Sequence, residues 1–196
     1  MAGFFSKPFN PKYMTSFTTT LYPVVWFPDK AYYEKNPEQS FRILAHERVH
    51  LVDRKERGFW QQLSYALPQV AAAPLLLIGV VLAIFLGWWS LIAFALGLAC
   101  VAPWPSPWRT YWEQRGYAMS IAVVYWMTGE FPEAQRIGIK RQFLDWAYFR
   151  MSWSEKAIDQ WLAETQKGIA EGTLREQEPV FEDVYRFLHD RGLTRV

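Results

Sequence analysis

The chain has 196 residues, a net charge of +2, 51% hydrophobic residues and a single cysteine. This length suits one domain, or one domain with an appendage, and is enough to bury a core and form a cleft. Because the sequence has no basic stripe or arginine-rich tract, nucleic-acid binding is not expected. The lone Cys100 lies in an apolar segment and excludes an internal disulfide.

The N-terminal region predicts a small pair of strands. Thr15–Tyr22 and Val24–Phe27 are rich in β-branched and aromatic residues, and Pro23 separates them. The preceding segment, Met1–Tyr13, lacks the continuous apolar run of a signal peptide, so we expect the catalytic segment in the cytoplasm.

The next segment predicts a helix that carries the most informative motif of the chain. Asn36–Glu38 opens this helix and Gly58 is expected to end it. Within it, His46-Glu47-Arg48-Val49-His50 has the H-E-x-x-H spacing. Residues four apart lie on one helix face, so both imidazoles can reach one metal ion, with Glu47 beside a water bound to it. The motif therefore predicts a zinc-dependent hydrolase.

A long uncharged segment follows the motif helix. From Gly58 to Trp108, 51 consecutive residues include no charged side chain. Two apolar arms, Tyr65–Leu86 and Trp88–Trp104, flank the turn Gly87–Ser90 and predict a helical hairpin long enough to cross a bilayer. The expected interfacial tryptophans are Trp60, Trp88, Trp89, Trp104 and Trp108.

Charged residues near both ends of the hairpin predict its orientation. By the positive-inside rule, both ends face the cytoplasm. The basic residues concerned are Arg54, Lys55, Arg57, Arg109 and Arg115. Pro68, Pro74 and Pro103 keep a shallow re-entrant loop open as an alternative. A buried core hairpin, in a soluble protein or a large assembly, is a second alternative.

The remainder of the chain predicts helices. The expected segments are Arg109–Met127, Pro132–Arg150, Ser154–Lys167 with Ser154 as N-cap, and a last helix that begins at Pro179 and precedes Gly192. The overall expectation is an α+β fold that is mostly helical. Its catalytic domain comprises residues 1–62 and 109–196, and residues 63–108 form an inserted hydrophobic or transmembrane hairpin.

A catalytic zinc site usually has three protein ligands, so two histidines leave one ligand to be found. Glu113, near the start of the helix that follows the hairpin, is the predicted third ligand. The small residues Gly116 and Ala118 would let this helix approach the motif helix closely. The alternative is a helix N-terminal carboxylate stabilised by the macrodipole.

This arrangement resembles the gluzincin class of zinc metallopeptidases, closest to compact forms from bacteria and phages. The resemblance rests on the strand pair, on His46-Glu47-x-x-His50, and on Glu113 followed by Tyr117-Ala118. It implies that His46, His50 and Glu113 hold zinc and that Glu47 is the general base. It also implies that the strand Val24–Phe27 pairs with an extended substrate. The hairpin would be an insertion, and the helices after Pro132 have no counterpart in the class.

Several other residues are secondary candidates. Tyr111, Tyr117 and Tyr148 could each donate a proton to the oxyanion, and the sequence does not choose among them. Asp53 could orient an imidazole or pair with Arg57 as an exposed helix carboxylate. His189 is expected to be a surface histidine.

The leading functional prediction is a membrane-anchored zinc metallopeptidase whose catalytic part faces the cytoplasm at the inner membrane. Its expected partners are membrane-proximal polypeptide substrates and the lipid bilayer, and self-association through the hairpin is possible. The alternative is a non-catalytic membrane or phage assembly protein that retains a gluzincin scaffold. Amide or peptidoglycan hydrolysis with the same ligands is a third option.

Overall fold

The structure is a computed structural model that describes residues 12–13, 19–21, 24–27, 34–67, 69–101, 105–146 and 150–196. The described chain is mostly helical, as predicted. The α-helices are α1 (Pro37–Arg57), α2 (Phe59–Ala66), α3 (Ala72–Leu86), α4 (Ser90–Val101), α5 (Pro107–Thr128), α6 (Glu133–Leu144), α7 (Glu155–Ala170), α8 (Thr173–Gln177) and α9 (Pro179–His189). Short 3₁₀ helices, Gln69–Ala71 and Gly87–Trp89, precede and follow α3.

The segment before α1 differs from the predicted small pair of strands. It contains three short strands, β1 (Lys12–Tyr13), β2 (Thr19–Leu21) and β3 (Val24–Phe27). β3 is central, pairing in parallel with β1 and antiparallel with β2. A strand of two residues has too little alternation to predict from sequence, which is why β1 was missed. Val25 is buried against Leu44 and attaches the sheet to α1.

Helices α1 and α5 form the centre of the molecule. The predicted start and end of α1 are confirmed, because Pro37 occupies its first turn and Gly58, with a φ of +61°, ends it. The apolar face of α1 packs against the middle of α5 in the main core. The core residues from these two helices include Phe41, Ala45, Val49, Ala118, Met119, Ala122 and Trp126.

The C-terminal helices close this core on one side. Ser154 caps α7 as predicted, since its side chain accepts a hydrogen bond from the Ala157 N–H. Helix α6 is shorter than predicted: it ends at Leu144 instead of reaching Arg150. The chain folds back there, and the Ser152 N–H donates to the carbonyl of Phe143, so a loop contact replaces the next helical hydrogen bond. Residues 147–149 lie outside the described part.

Helices α3 and α4 form the predicted hairpin. The two arms meet at glycines: a Cβ on Gly97 would lie 2.8 Å from Leu76 side-chain carbons, and one on Gly79 would lie 3.1 Å from the Phe94 ring. The other faces of both helices leave large apolar side chains more than half exposed. These include Leu77, Ile84, Phe85 and Leu98, and Trp88 in the turn between the two helices is also exposed.

The first helical arm is shorter than the sequence predicted, and the predicted end of the second arm, Trp104, lies outside the described residues. α3 and α4 have 15 and 12 residues, which is about 22 Å and 18 Å at about 1.5 Å per residue. The predicted first arm began at Tyr65, but that residue belongs to the separate helix α2. In the described ranges, no single helix has both the length and the hydropathy for a bilayer crossing. Only when α2 and Gln69–Phe85 are taken together do these ranges have the required length and hydropathy, and the two helices are bent by 88° relative to each other.

A buried ion network joins α1, α5 and the start of α9. Both carboxylate oxygens of Asp53 accept from the Arg115 guanidinium, at 2.9 and 3.1 Å, and Glu178 accepts from the same guanidinium at 2.8 Å. The Asp53 side chain is 1% exposed. Both alternatives predicted for Asp53 are therefore wrong: its oxygens bind neither an imidazole nor Arg57, because Arg115 extends from α5 to occupy them.

We predict that Arg115→Met lowers the free energy of unfolding by about 3 kcal/mol or more, because it leaves the Asp53 carboxylate buried without its counter-charge. Arg136→Met is the matched control, since Arg136 pairs with Asp159 while its side chain is 37% exposed. The control should cost less than about 1 kcal/mol. Chemical denaturation of both variants in the same detergent measures the difference. Equal losses of unfolding free energy in the two variants would show that the Asp53–Arg115 pair stabilises the fold no more than an exposed ion pair does.

Candidate metal centre

Helices α1 and α5 bring together the three ligands predicted from the sequence. His46 and His50 lie one turn apart on α1, and their Nε2 atoms are 3.1 Å apart. Glu113, in the second turn of α5, places Oε2 at 3.5 Å from His46 Nε2 and Oε1 at 3.9 Å from His50 Nε2. The three ligand atoms lie within 4.8 Å of one another, so this cluster could hold a metal ion.

The spacing of these atoms suits a small tetrahedral cation. With metal–ligand bonds of about 2.0–2.1 Å, tetrahedral geometry separates ligand atoms by about 3.3 Å. The two Nε2 atoms are 3.1 Å apart, and each lies 3.5 or 3.9 Å from a different oxygen of Glu113, so these distances bracket that value. Three atoms with lone pairs thus converge on one point, and only a proton or a cation there relieves their mutual repulsion.

The close approach of the two helices depends on Gly116. The His46 ring packs directly over this residue, and a Cβ on Gly116 would lie 2.6 Å from His46 Nε2. Any larger residue would displace the imidazole from Glu113. The other ring nitrogen of His46, Nδ1, lies 3.4 Å from the Ser120 hydroxyl, which is one turn further along α5. α5 therefore positions His46 through Gly116 and Ser120, as well as contributing Glu113.

The groups of the cluster shift one another's pKa. Burial alone lowers the pKa of His46, but the hydrogen bond to Glu113 and the charges of Glu47 and Glu113 outweigh it and raise this pKa above its ordinary value. Burial alone raises the pKa of Glu113, but the hydrogen bond from His46 and the histidine charges lower it to about 2. Without metal, the two shifts favour a protonated His46 imidazolium beside an ionised Glu113 carboxylate. A metal cation at this point must displace the proton of His46.

Glu47 lies beside the cluster without being one of its ligand residues. It follows His46 on α1, is half-buried, and its charge contributes to the raised pKa of His46. The site thus comprises two imidazoles, one ligand carboxylate and a second carboxylate within electrostatic range. This is the arrangement that the motif predicts.

Comparisons of the chain with protein-family models, with curated proteins and with solved structures find no match. The gluzincin resemblance therefore rests on the sequence features described above alone. The geometry of His46, His50 and Glu113 supports only the statement that this cluster could hold a metal ion.

The structure separates two of the tyrosine candidates and adds a third residue. Tyr117 places its ring edge-on to His46, with the centroids 4.8 Å apart, whereas Tyr111 is 41% exposed and contacts Trp112 and Arg115. Tyr148 lies outside the described residues.

Sequence reasoning missed Tyr65, whose hydroxyl donates to Glu113 Oε1 at 2.6 Å. Its position 48 residues before Glu113 in an uncharged segment leaves no local signal of this contact.

His189 contacts residues outside the metal cluster. Its side chain is 65% exposed, lies 3.8 Å from Asp190 and stacks on Tyr185. The expectation of a surface histidine is confirmed.

We predict that Gly116→Ala lowers metal affinity by at least about tenfold, because the new methyl group displaces the His46 imidazole. Gly138→Ala is the control: Gly138 lies inside α6, and a Cβ there meets nothing within 4 Å. That change should leave affinity unaltered and raise stability by about 0.5–1 kcal/mol. Competition with a chromophoric chelator measures affinity. Wild-type affinity in Gly116→Ala would contradict the observed packing of His46.

Proposed function

We propose that the protein is a zinc-dependent metallopeptidase of the gluzincin type. The observation that carries this proposal is the convergence of His46 Nε2, His50 Nε2 and a Glu113 oxygen beside the half-buried Glu47. Two imidazoles and one carboxylate form a ligand set of catalytic zinc sites, which keep a fourth position for water or substrate. A purely structural site would not require a carboxylate base beside it.

Each residue has a defined role in this proposal. Zinc, when bound, polarises the scissile carbonyl and lowers the pKa of a coordinated water toward about 7. Glu47 accepts the proton of the attacking water and passes it to the leaving amine. His46 and Glu113 are held by α5, so the ligand geometry is fixed before substrate binds. This rigidity reduces the reorganisation needed in the transition state.

We further propose that the hairpin of α3 and α4 anchors the enzyme to a lipid bilayer. The exposed aliphatic and aromatic side chains on both arms support this, since such a surface in water is unfavourable. Lys55 and Arg57, exposed at the end of α1, can face lipid headgroups. Arg109 and Arg115 are instead engaged in internal contacts. The proposed substrates are therefore cytoplasmic polypeptides near the inner membrane.

We predict that Glu47→Gln lowers peptide hydrolysis by about 10²- to 10⁴-fold while zinc content stays at one ion per chain, because the base is lost and the ligands remain. Glu56→Gln is the matched control, since it removes an exposed carboxylate from the same helix. Its activity should equal that of the wild type. The assay uses a library of fluorescence-quenched peptides with the full chain in lipid nanodiscs, and metal analysis of the same samples.

Two results would contradict the proposal. Full hydrolysis by zinc-loaded Glu47→Gln would exclude Glu47 as the base. Zinc-loaded wild type that cleaves no member of the library would favour the non-catalytic assembly protein, in which the ion only braces α1 against α5.

A further inference from the structure

Tyr65 contacts the metal cluster from the base of the hairpin. Its hydroxyl donates to Glu113 Oε1 at 2.6 Å, while Glu113 Oε2 faces His46 Nε2 at 3.5 Å. The two carboxylate oxygens therefore have different partners: Oε1 accepts the phenol hydrogen bond and lies 3.9 Å from His50 Nε2, whereas Oε2 lies nearer to His46 and accepts nothing from Tyr65. We infer that Tyr65 is a positioning residue that holds Glu113 as a one-oxygen ligand and links this ligand to the hairpin.

The number of oxygens that Glu113 contributes decides how open the site is. A carboxylate that binds through both oxygens occupies two coordination positions, whereas one that binds through Oε2 alone occupies one. With His46 and His50, single-oxygen binding leaves a fourth tetrahedral position for water or substrate. A hydrogen bond from Tyr65 makes Oε1 a poorer metal ligand and fixes the plane of the carboxylate.

Tyr65 is itself held from the side of the hairpin. Its carbonyl accepts from Arg109 Nε at 3.2 Å, and the Arg109 guanidinium lies 5.3 Å from the centroid of its ring. The same guanidinium donates to Gln69 Oε1 at 3.0 Å, in the 3₁₀ helix that leads into α3. Arg109 is 8% exposed, so these contacts are shielded from water. They form a continuous connection from the first arm of the hairpin to a ligand of the metal cluster.

A neighbouring contact offers a matched control. Trp112 Nε1 donates to Ser64 Oγ at 3.0 Å, so adjacent residues of α2 bind adjacent residues of α5. The Ser64 contact docks α2 onto α5 without touching a ligand of the cluster. Loss of Ser64 Oγ tests the docking of α2, while loss of the Tyr65 hydroxyl tests the orientation of Glu113.

The experiment compares Tyr65→Phe and Ser64→Ala in the full chain in lipid nanodiscs. Zinc affinity is measured by chelator competition, and coordination number by the visible absorption of the cobalt(II)-substituted protein. Tyr65→Phe should weaken zinc binding by about 10- to 100-fold, the usual effect of losing a partner of a ligand. Its cobalt spectrum should lose intensity as Glu113 binds through both oxygens and coordination rises above four. Ser64→Ala should keep the parent spectrum and an affinity within about twofold.

Tyr65→Phe with the parent's affinity and spectrum would overturn the inference. Equal losses in both variants would also overturn it, because the effect would then come from the docking of α2. The inference rests on the proposed function for its meaning, but its readout is metal coordination and not hydrolysis. A parent that binds zinc and cleaves no peptide would refute the peptidase and leave the result for Tyr65 standing.

Discussion

The close packing of α1 against α5 is the constraint on which the rest of the site depends. At the crossing, the His46 imidazole occupies the space that a side chain on Gly116 would fill. That contact brings Glu113 within 3.5 Å of an imidazole nitrogen and gathers three ligand atoms in a largely buried space. Such a concentration of lone pairs is costly unless a positive charge compensates it. The raised pKa of His46 and the lowered pKa of Glu113 both favour a proton at this point when metal is absent.

The surrounding contacts keep the two helices at this distance. Apolar packing of Val49 and Ala45 against the middle of α5 provides most of the interface. Near the site, the Asp53–Arg115 pair fixes α1 to α5 one turn beyond His50, and Glu178 extends that network to the start of α9. Because a guanidinium that binds both oxygens of a carboxylate restricts distance and angle, it limits sliding of one helix along the other. The C-terminal helices thus support the metal centre indirectly.

Local sequence signals predicted the elements of the fold better than the contacts between them. The H-E-x-x-H spacing, the glycine at the end of α1 and the Ser154 cap each act within about one helical turn, so the sequence was sufficient for them. Glu113 and the role of Gly116 were also predictable, because two histidines left a third ligand to be found and the two helices had to approach closely. The contacts of Tyr65 with Glu113 and of Asp53 with Arg115 span 48 and 62 residues. They depend on how α2 and α1 each pack against α5, which no local pattern encodes. The early end of α6 has the same origin, since a returning loop binds the Phe143 carbonyl.

The central claim is that one cation is held jointly by α1 and α5 with a coordination position left open. Anomalous diffraction at the zinc absorption edge, from crystals of the full chain grown with one equivalent of zinc, tests it most directly. A single anomalous peak is expected about 2.0–2.2 Å from His46 Nε2, His50 Nε2 and Glu113 Oε2, with a solvent oxygen as the fourth ligand. A peak that Glu113 does not reach, or a fourth ligand supplied by the protein, would contradict it.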